Sequence, residues 1–251
     1  MKRFIIINLF LLILFTSILE ANVSAHKEGY NCKFYRAYIT GNMEQWPQWI
    51  TELKQEYQRD RSPELLQDIV KAYYGFIAYS IGVDDYETAD VFLEKGEAWV
   101  DKLKEIKAYK STAYAYEGAF LAFEIGMNRA KAIFLGPKSM KHIHTALEID
   151  PENPMALVEK GNAEYHMPRM FGGSYEKAAE YYEKAIVQFE ANGPQNSCSW
   201  IYLNTLAWLA QSYDKSGEVQ KARTTFQKIL SLEPDFKWVK EELFPEFQKR
   251  H

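Results

Sequence analysis

Apolar side chains recur every three or four positions along almost the whole chain, and nowhere do they alternate in the two-residue rhythm of a strand. Trp46, Trp49, Leu53 and Tyr57 set that spacing and predict a helix from about Met43 to Arg59. Ser62-Pro63-Glu64 then predicts a second start, with a serine to cap, a proline in the first helical position and an acid in the first turn. That helix runs to about Ile81 with Gly75 as its small, close-approach residue, and Asp84-Asp85 caps a partner carrying Ala89, Leu93, Gly96, Trp99 and Leu103. Ser111 opens another, with Gly118 and Leu121 on its apolar face, and its partner carries Ile143 and Ala146 before Pro151. Asn153-Pro154 begins a further pair, with Leu157, Gly161 and Tyr165 on one helix and Ala178, Tyr182 and Ala185 on the next. Helices therefore come in pairs, and the chain reads as all-α.

The clearest pair is Leu203 to Phe236, turning at Ser216-Gly217. With Leu203 as position 1, Leu206 and Leu209 fall at 4 and 7, Ala210 at 8, Tyr213 at 11, Ala222 at 20, Phe226 at 24, Ile229 at 27 and Pro234 at 32. Small residues at 8 and 20 let two helices approach, aromatics at 11 and 24 fill the space between successive pairs, and the proline stops the second helix. This spacing resembles the tetratricopeptide repeat, whose pattern spans 34 residues. The resemblance implies a right-handed α-solenoid of about four such hairpins over residues 63–236, with capping helices at both ends. A lead-in and capping helix over 26–62 would shield the first repeat. A closing helix and tail over 237–251 would cover the last, through Trp238, Leu243 and Phe244, with Lys249-Arg250-His251 trailing into solvent.

Two hairpins are longer than the repeat requires. The third carries nine extra residues around Ala122 to Gly136, mostly apolar. An exposed loop would not carry that much apolar surface, so the first helix is expected to extend or the insertion to fold back over a groove. In the fourth, the turn is enlarged into MPRMFGGSYEKA. There Gly172-Gly173 permits a sharp bend, and Ser174 offers a cap with Lys177, not an acid, three residues on. This block resembles one in exported bacterial tetratricopeptide proteins, including the periplasmic component associated with some tripartite transporters.

Residues 1–25 stand apart from this pattern. Lys2-Arg3 precedes an apolar run from Phe4 to Leu19, and Val23-Ser24-Ala25 offers a small-residue cleavage site, the physical grammar of a secretory signal peptide. No cysteine follows the site directly, which argues against lipid anchoring. The mature protein is expected in the periplasm or the medium, with no membrane contact after cleavage. Cleavage would change 30 basic and 34 acidic side chains to 28 and 33, a formal charge of −5. A mildly acidic chain without a basic face is a poor nucleic-acid binder. Cys32 and Cys198 are the two cysteines. Export permits a disulfide between them, while a solenoid holds sequence-distant segments apart, so a bond, two separate thiols and an intermolecular bond all stay open.

Little in the sequence points to catalysis. His142 and His144, two apart, face different ways on a helix. His166 lies near Met167 and Met170, but methionines beside a turn serve as gap-fillers. G-x-S-x-G, H-E-x-x-H, C-x-x-C and phosphate-loop patterns are absent. The chain is expected to be no enzyme and to need no metal or cofactor. The repeat resemblance instead implies a concave groove lined by the first helix of each pair. Its candidates here are Phe76, Tyr79 and Phe123 in an aromatic N-terminal half and Asn162, Tyr165, His166, Asn204, Gln211 and Lys215 in an amide-rich C-terminal half. Phe76, Tyr79 and Phe123 fit equally well as core residues. The expected function is an exported, non-enzymatic scaffold holding a protein or peptide partner in that groove. The alternative is a periplasmic accessory to a solute transporter, binding a small organic ligand.

Overall fold

The computed structural model describes residues 29–191 and 198–251. The expected signal peptide and residues 192–197 lie outside them. Eleven helices follow one another in the described residues. They are α1 (29–40), α2 (Trp46–Arg59), α3 (Pro63–Gly82), α4 (Tyr86–Lys104), α5 (Lys110–Met127), α6 (Ala132–Ile149), α7 (Pro154–His166), α8 (Tyr175–Ala191), α9 (Trp200–Ser216), α10 (Val219–Leu232) and α11 (Phe244–Arg250). A π-helical turn, Trp238–Leu243, leads into α11. The four hairpins α3–α4, α5–α6, α7–α8 and α9–α10 stack as a helical solenoid of tetratricopeptide-like repeats.

The helix starts are written locally. Ser62, Asp85, Asn153, Ser174 and Ser199 each accept a hydrogen bond from a backbone N–H two or three residues on, satisfying donors a helix leaves unpaired. Gly217, in the left-handed region at φ 83°, ends α9 where the turn was expected. Within hairpins the small positions act as the spacing implies. A Cβ on Gly161 would stand 2.7 Å from the Tyr182 ring, and one on Gly118 2.7 Å from Ile143, so each glycine is where its partner helix comes closest. Ser139, at position 20 of its hairpin, donates to the Gly118 carbonyl at 2.7 Å and fastens the same approach.

In the third hairpin, α5 simply runs on to Met127, and a single 3-10 turn at Arg129–Lys131 leads into α6. The insertion thus extends both helices of its hairpin. Its apolar residues are not all covered as a result: Ile133 and Phe134 stand in solvent at the start of α6.

The N-terminal lead-in departs most from expectation. It is a helix, α1, and it lies along the inside of the solenoid between first and last repeats. Near its start, Asn31 joins Lys71 and Asp68 of α3. Phe34 packs on Trp46 and Trp49 of α2. Farther along, the Tyr38 hydroxyl donates to Asn204 of α9 at 2.7 Å, and the Tyr35 hydroxyl to Glu233 beyond α10 at 2.9 Å. Cys32 and Cys198 are disulfide-bonded. The idea that a solenoid must part them fails because the superhelix turns tightly enough to bring its two ends onto one short helix. The C-terminal tail does not trail into solvent either: Arg250 and His251 fold back to pair with Asp214 of α9.

Candidate functional site

The concave face divides into a closed half and a half-open one. In the closed half α3 meets α7 and the start of α9 directly. Tyr74 stacks near Trp200 at 6.2 Å, and Trp200 in turn meets Trp46 and Tyr38. Gly75 is the reason α3 comes so close, since a Cβ there would stand 2.7 Å from the Trp200 ring. A buried polar network crosses the same contact. The Tyr74 hydroxyl donates to Glu159 at 2.7 Å, Asn162 donates to Glu159 at 3.2 Å, and the Tyr182 hydroxyl donates to Asn162 at 2.7 Å. Burial pushes the Glu159 carboxyl up to about 7, against the opposing pull of its Tyr74 and Asn162 hydrogen bonds. Burial also holds the Tyr74 and Tyr182 hydroxyls well above their ordinary range.

This packing relocates several expected groove residues. Phe76 is buried between α3 and α4, edge-on to Phe92 at 4.6 Å. With Gly75 at position 8, the residue that faces the partner helix, the repeat spacing puts Phe76 in the groove. Gly75 instead faces inward, so the register of α3 is rotated and Phe76 belongs to the core. Phe123 packs on Tyr74 and Phe120 as a half-buried wall. Tyr79 sits at the outer end of α3, 38% exposed. Asn162 faces inward, committed to the Tyr74–Glu159–Tyr182 network. Asn204 also faces inward, where α1 covers it through Tyr38.

The half-open part lies beyond α1. Tyr165 meets His166 at 5.0 Å, Tyr175 at 5.2 Å and Trp208 at 5.0 Å between ring centroids, and His166 meets Trp208 at 5.1 Å. Trp238 continues the cluster from the C-terminal side, 6.0 Å from Trp208. Offset and edge-to-face pairs of this kind are attractive beyond the area they bury. The residue His166 is exposed overall, yet its ring is desolvated by these neighbours and its pKa lies below the ordinary 6.5. Burial raises the Tyr165 hydroxyl to about 12. A cavity of about 110 Å³ opens beside them, lined by Glu164 to Arg169 and Gly173 to Tyr175. Small-molecule sites usually enclose several hundred Å³, so this one takes a side chain or the edge of a ring. Gln211 lies against its own helix, donating weakly to Ala207, while Lys215 is exposed at the end of α9.

Tyr165 and His166 are thus gathered into one site, while Trp208, Tyr175 and Trp238 complete it without having been singled out. Trp208 was legible as an aromatic at position 6 of the clearest repeat. The contribution of Tyr175 depends on the shape of the enlarged turn, which spacing alone does not supply.

Residues 203–236 match the family model of the tetratricopeptide repeat, and the helical architecture around them is consistent with that family. Among solved structures the chain is similar to the HusA haemophore from Porphyromonas gingivalis, at 17% sequence identity and a TM-score of 0.58 over 68% of this chain and 84% of that one. At that identity the likeness concerns the fold alone. None of the curated protein sequences matches this chain.

Proposed function

We propose that this protein is an exported, non-enzymatic scaffold that holds a protein or peptide partner against the C-terminal half of its concave face. A tetratricopeptide repeat in a helical solenoid is the framework of a protein-interaction scaffold. The single observation that carries the finer reading is the contrast between the two halves of the inner face. One half is closed by α1 and by direct packing of α3 on α7 and α9. The other presents Tyr165, His166, Tyr175 and Trp208 beside a cavity. Aromatic anchors beside a recess are the usual energetic centre of a peptide interface. The Cys32–Cys198 bond supports the export part of the reading, because such bonds persist in oxidising compartments.

Site-specific photo-crosslinking tests the assignment. A photoreactive phenylalanine analogue at Tyr165 or Trp208 is expected to trap one defined partner in the native host's envelope, whereas the same analogue at Val187, exposed on α8, should not. Equal labelling from all three positions would sink the assignment of the face.

A second reading has one observation in its favour. The structural neighbour is a haemophore, and the Tyr165–His166–Trp208 cluster offers flat aromatic faces and an imidazole to a planar ligand. The cavity is too small to enclose such a ligand, which would lie along the aromatic surface. Titration with haemin, followed by its absorbance, separates the readings. A spectral shift abolished by His166→Ala would favour the planar ligand, and no shift at all would leave the partner-protein reading standing.

A further inference from the structure

The rim of the solenoid where first helices hand over to second helices carries an unusual surface at two adjacent turns. Four large apolar side chains point into solvent there: Ile133 and Phe134 at 79% and 74% exposure beyond the α5–α6 turn, and Met170 and Phe171 at 83% and 70% in the α7–α8 turn. Single exposed apolar residues are ordinary, but clusters of them mark contact surfaces. Both turns are well held. Lys131 N–H donates to the Asn128 carbonyl, and Asn128 caps Ala130. Phe171 N–H donates to Pro168, and Ser174 N–H to Glu164.

The two turns lie at the same height. Asn153, at the start of α7, donates to Thr112, at the start of α5, so these helices run side by side in the same direction. From that contact α5 reaches Met127 and α7 reaches His166, each after about 20 Å at 1.5 Å per residue. Both apolar pairs therefore emerge on one rim, from hairpins packed next to each other.

Charge accompanies them. Arg129, Lys138, Arg169 and Lys177 flank the four apolar residues, and among the described residues none of them is in an ion pair. Of the acids nearby, Glu124 pairs with Lys131, while Glu176 accepts from Ser174 and remains charged, leaving the cations in excess. The neighbouring α3–α4 turn has the opposite character, with Asp84, Asp85 and Glu87. On a chain whose overall charge is −4, this is a local cationic and apolar spot.

We infer that this rim docks on the surface of an anionic lipid bilayer. Ile133, Phe134, Met170 and Phe171 would enter the headgroup boundary while the flanking cations meet lipid phosphates, the division of labour that interfacial binding uses. Knobs on protruding turns suit a fluid surface that deforms around them, whereas a protein interface pairs such knobs with recesses. The sequence predicts no membrane contact in the mature chain, and this surface departs from that expectation. Among the described residues no helix is long and apolar enough to cross a membrane, so the contact is peripheral. It adjoins the Tyr165–Trp208 face, because Arg169 also lines that recess and lies over the Tyr175 ring, whereas Ile133, Phe134 and Arg129 stand on the neighbouring hairpin and test the lipid contact separately.

Vesicle flotation tests it. The purified chain beginning at His26, the same in every variant, is mixed with phosphatidylcholine vesicles with or without phosphatidylglycerol. Binding is expected to the anionic vesicles and to weaken with salt. Phe134→Ser with Phe171→Ser should lower the partition coefficient about tenfold. Arg129→Glu with Arg169→Glu should lower it by at least a similar factor. A control pair on exposed positions elsewhere, Val187→Ser with Leu232→Ser, should leave it unchanged, and circular dichroism should show all variants folded. Absence of binding, or equal binding by the rim and control variants, would overturn the proposal. So would a dimer in solution that the Phe134 and Phe171 changes dissolve, because the rim would then be covered by a second copy.

Discussion

Glu159 shows how one residue links the packing of this solenoid to its response to pH. Its carboxyl is buried where α3 meets α7, and it accepts hydrogen bonds from Tyr74 and Asn162 while its pKa is pushed up to about 7. An acid whose pKa is higher folded than unfolded binds more protons in the folded state between those two values. Stability therefore falls as pH rises from about 4.5 to about 7, and the cost is fully present above that window. At 1.36 kcal/mol per unit, the loss is roughly 3 kcal/mol. Glu159→Gln keeps an acceptor for Tyr74 and removes the charge, so it should unfold at higher denaturant than the native chain at pH 8 and lose most of that advantage near pH 5. Parallel pH curves for the two proteins would show that Glu159 does not titrate in this window. Nothing in the helical spacing foretold this site, because Glu159, between Val158 and Lys160, becomes buried only when α3 arrives from a distant hairpin.

At the scale of elements, the enlarged turn between α7 and α8 is the most tightly specified piece of backbone. Gly172 occupies the left-handed region at φ 101°, and a Cβ on Gly173 would stand 1.9 Å from the Met167 carbonyl oxygen. Gly173→Ala must therefore shift backbone, and a loss of about 1–3 kcal/mol is expected. Gly136→Ala serves as control, since its Cβ meets nothing and it lies within a helix, where alanine is favoured. Equal denaturation midpoints for Gly173→Ala and the native chain would contradict the geometry. Elements such as these were the legible part of the chain. The caps at Ser62, Asp85, Asn153 and Ser174, the Gly217 turn, and the pairing of Gly161 with Tyr182 all follow from residues within one hairpin, and spacing records such contacts. The register of α3 was misread because Gly75 makes its close contact with α9, across the solenoid, while looking locally like a position-8 glycine. Half of the candidate site was legible for the same reason: Tyr165 and His166 sit at repeat positions, whereas Tyr175 enters through a turn whose path only Gly172 and Gly173 hint at.

At the scale of the whole molecule, α1 decides how open the solenoid is, and no local pattern announced where it would go. Its position follows from superhelical curvature accumulated over four hairpins, which brings α3 and α9 close enough for one short helix to touch both. Three kinds of contact hold it: the buried Phe34, Ala37 and Ile39, the Tyr35 and Tyr38 hydrogen bonds, and the bond from Cys32 to Cys198. The disulfide closes a loop of 166 residues in sequence, and removing a native one typically costs about 2–5 kcal/mol, chiefly through a freer unfolded chain. For a chain of this size that is a fall in Tm of roughly 5–15 °C. The double variant Cys32→Ser with Cys198→Ser separates two ways the bond can act. If it restrains only the unfolded state, Tm falls while amide exchange in α1 rises no more than elsewhere. If it also pins α1 against α9, exchange in α1 rises selectively, together with that at Trp200 to Asn204. The selective outcome is expected. Cys32 lies in the first half of α1, where the remaining ties to α9 and beyond begin only at Tyr35 and Tyr38, so losing the bond leaves that end of the helix with its α2 and α3 contacts alone. An unchanged α1 would mean that Phe34 and its tryptophan neighbours suffice. The closed half of the concave face would then owe nothing to the disulfide.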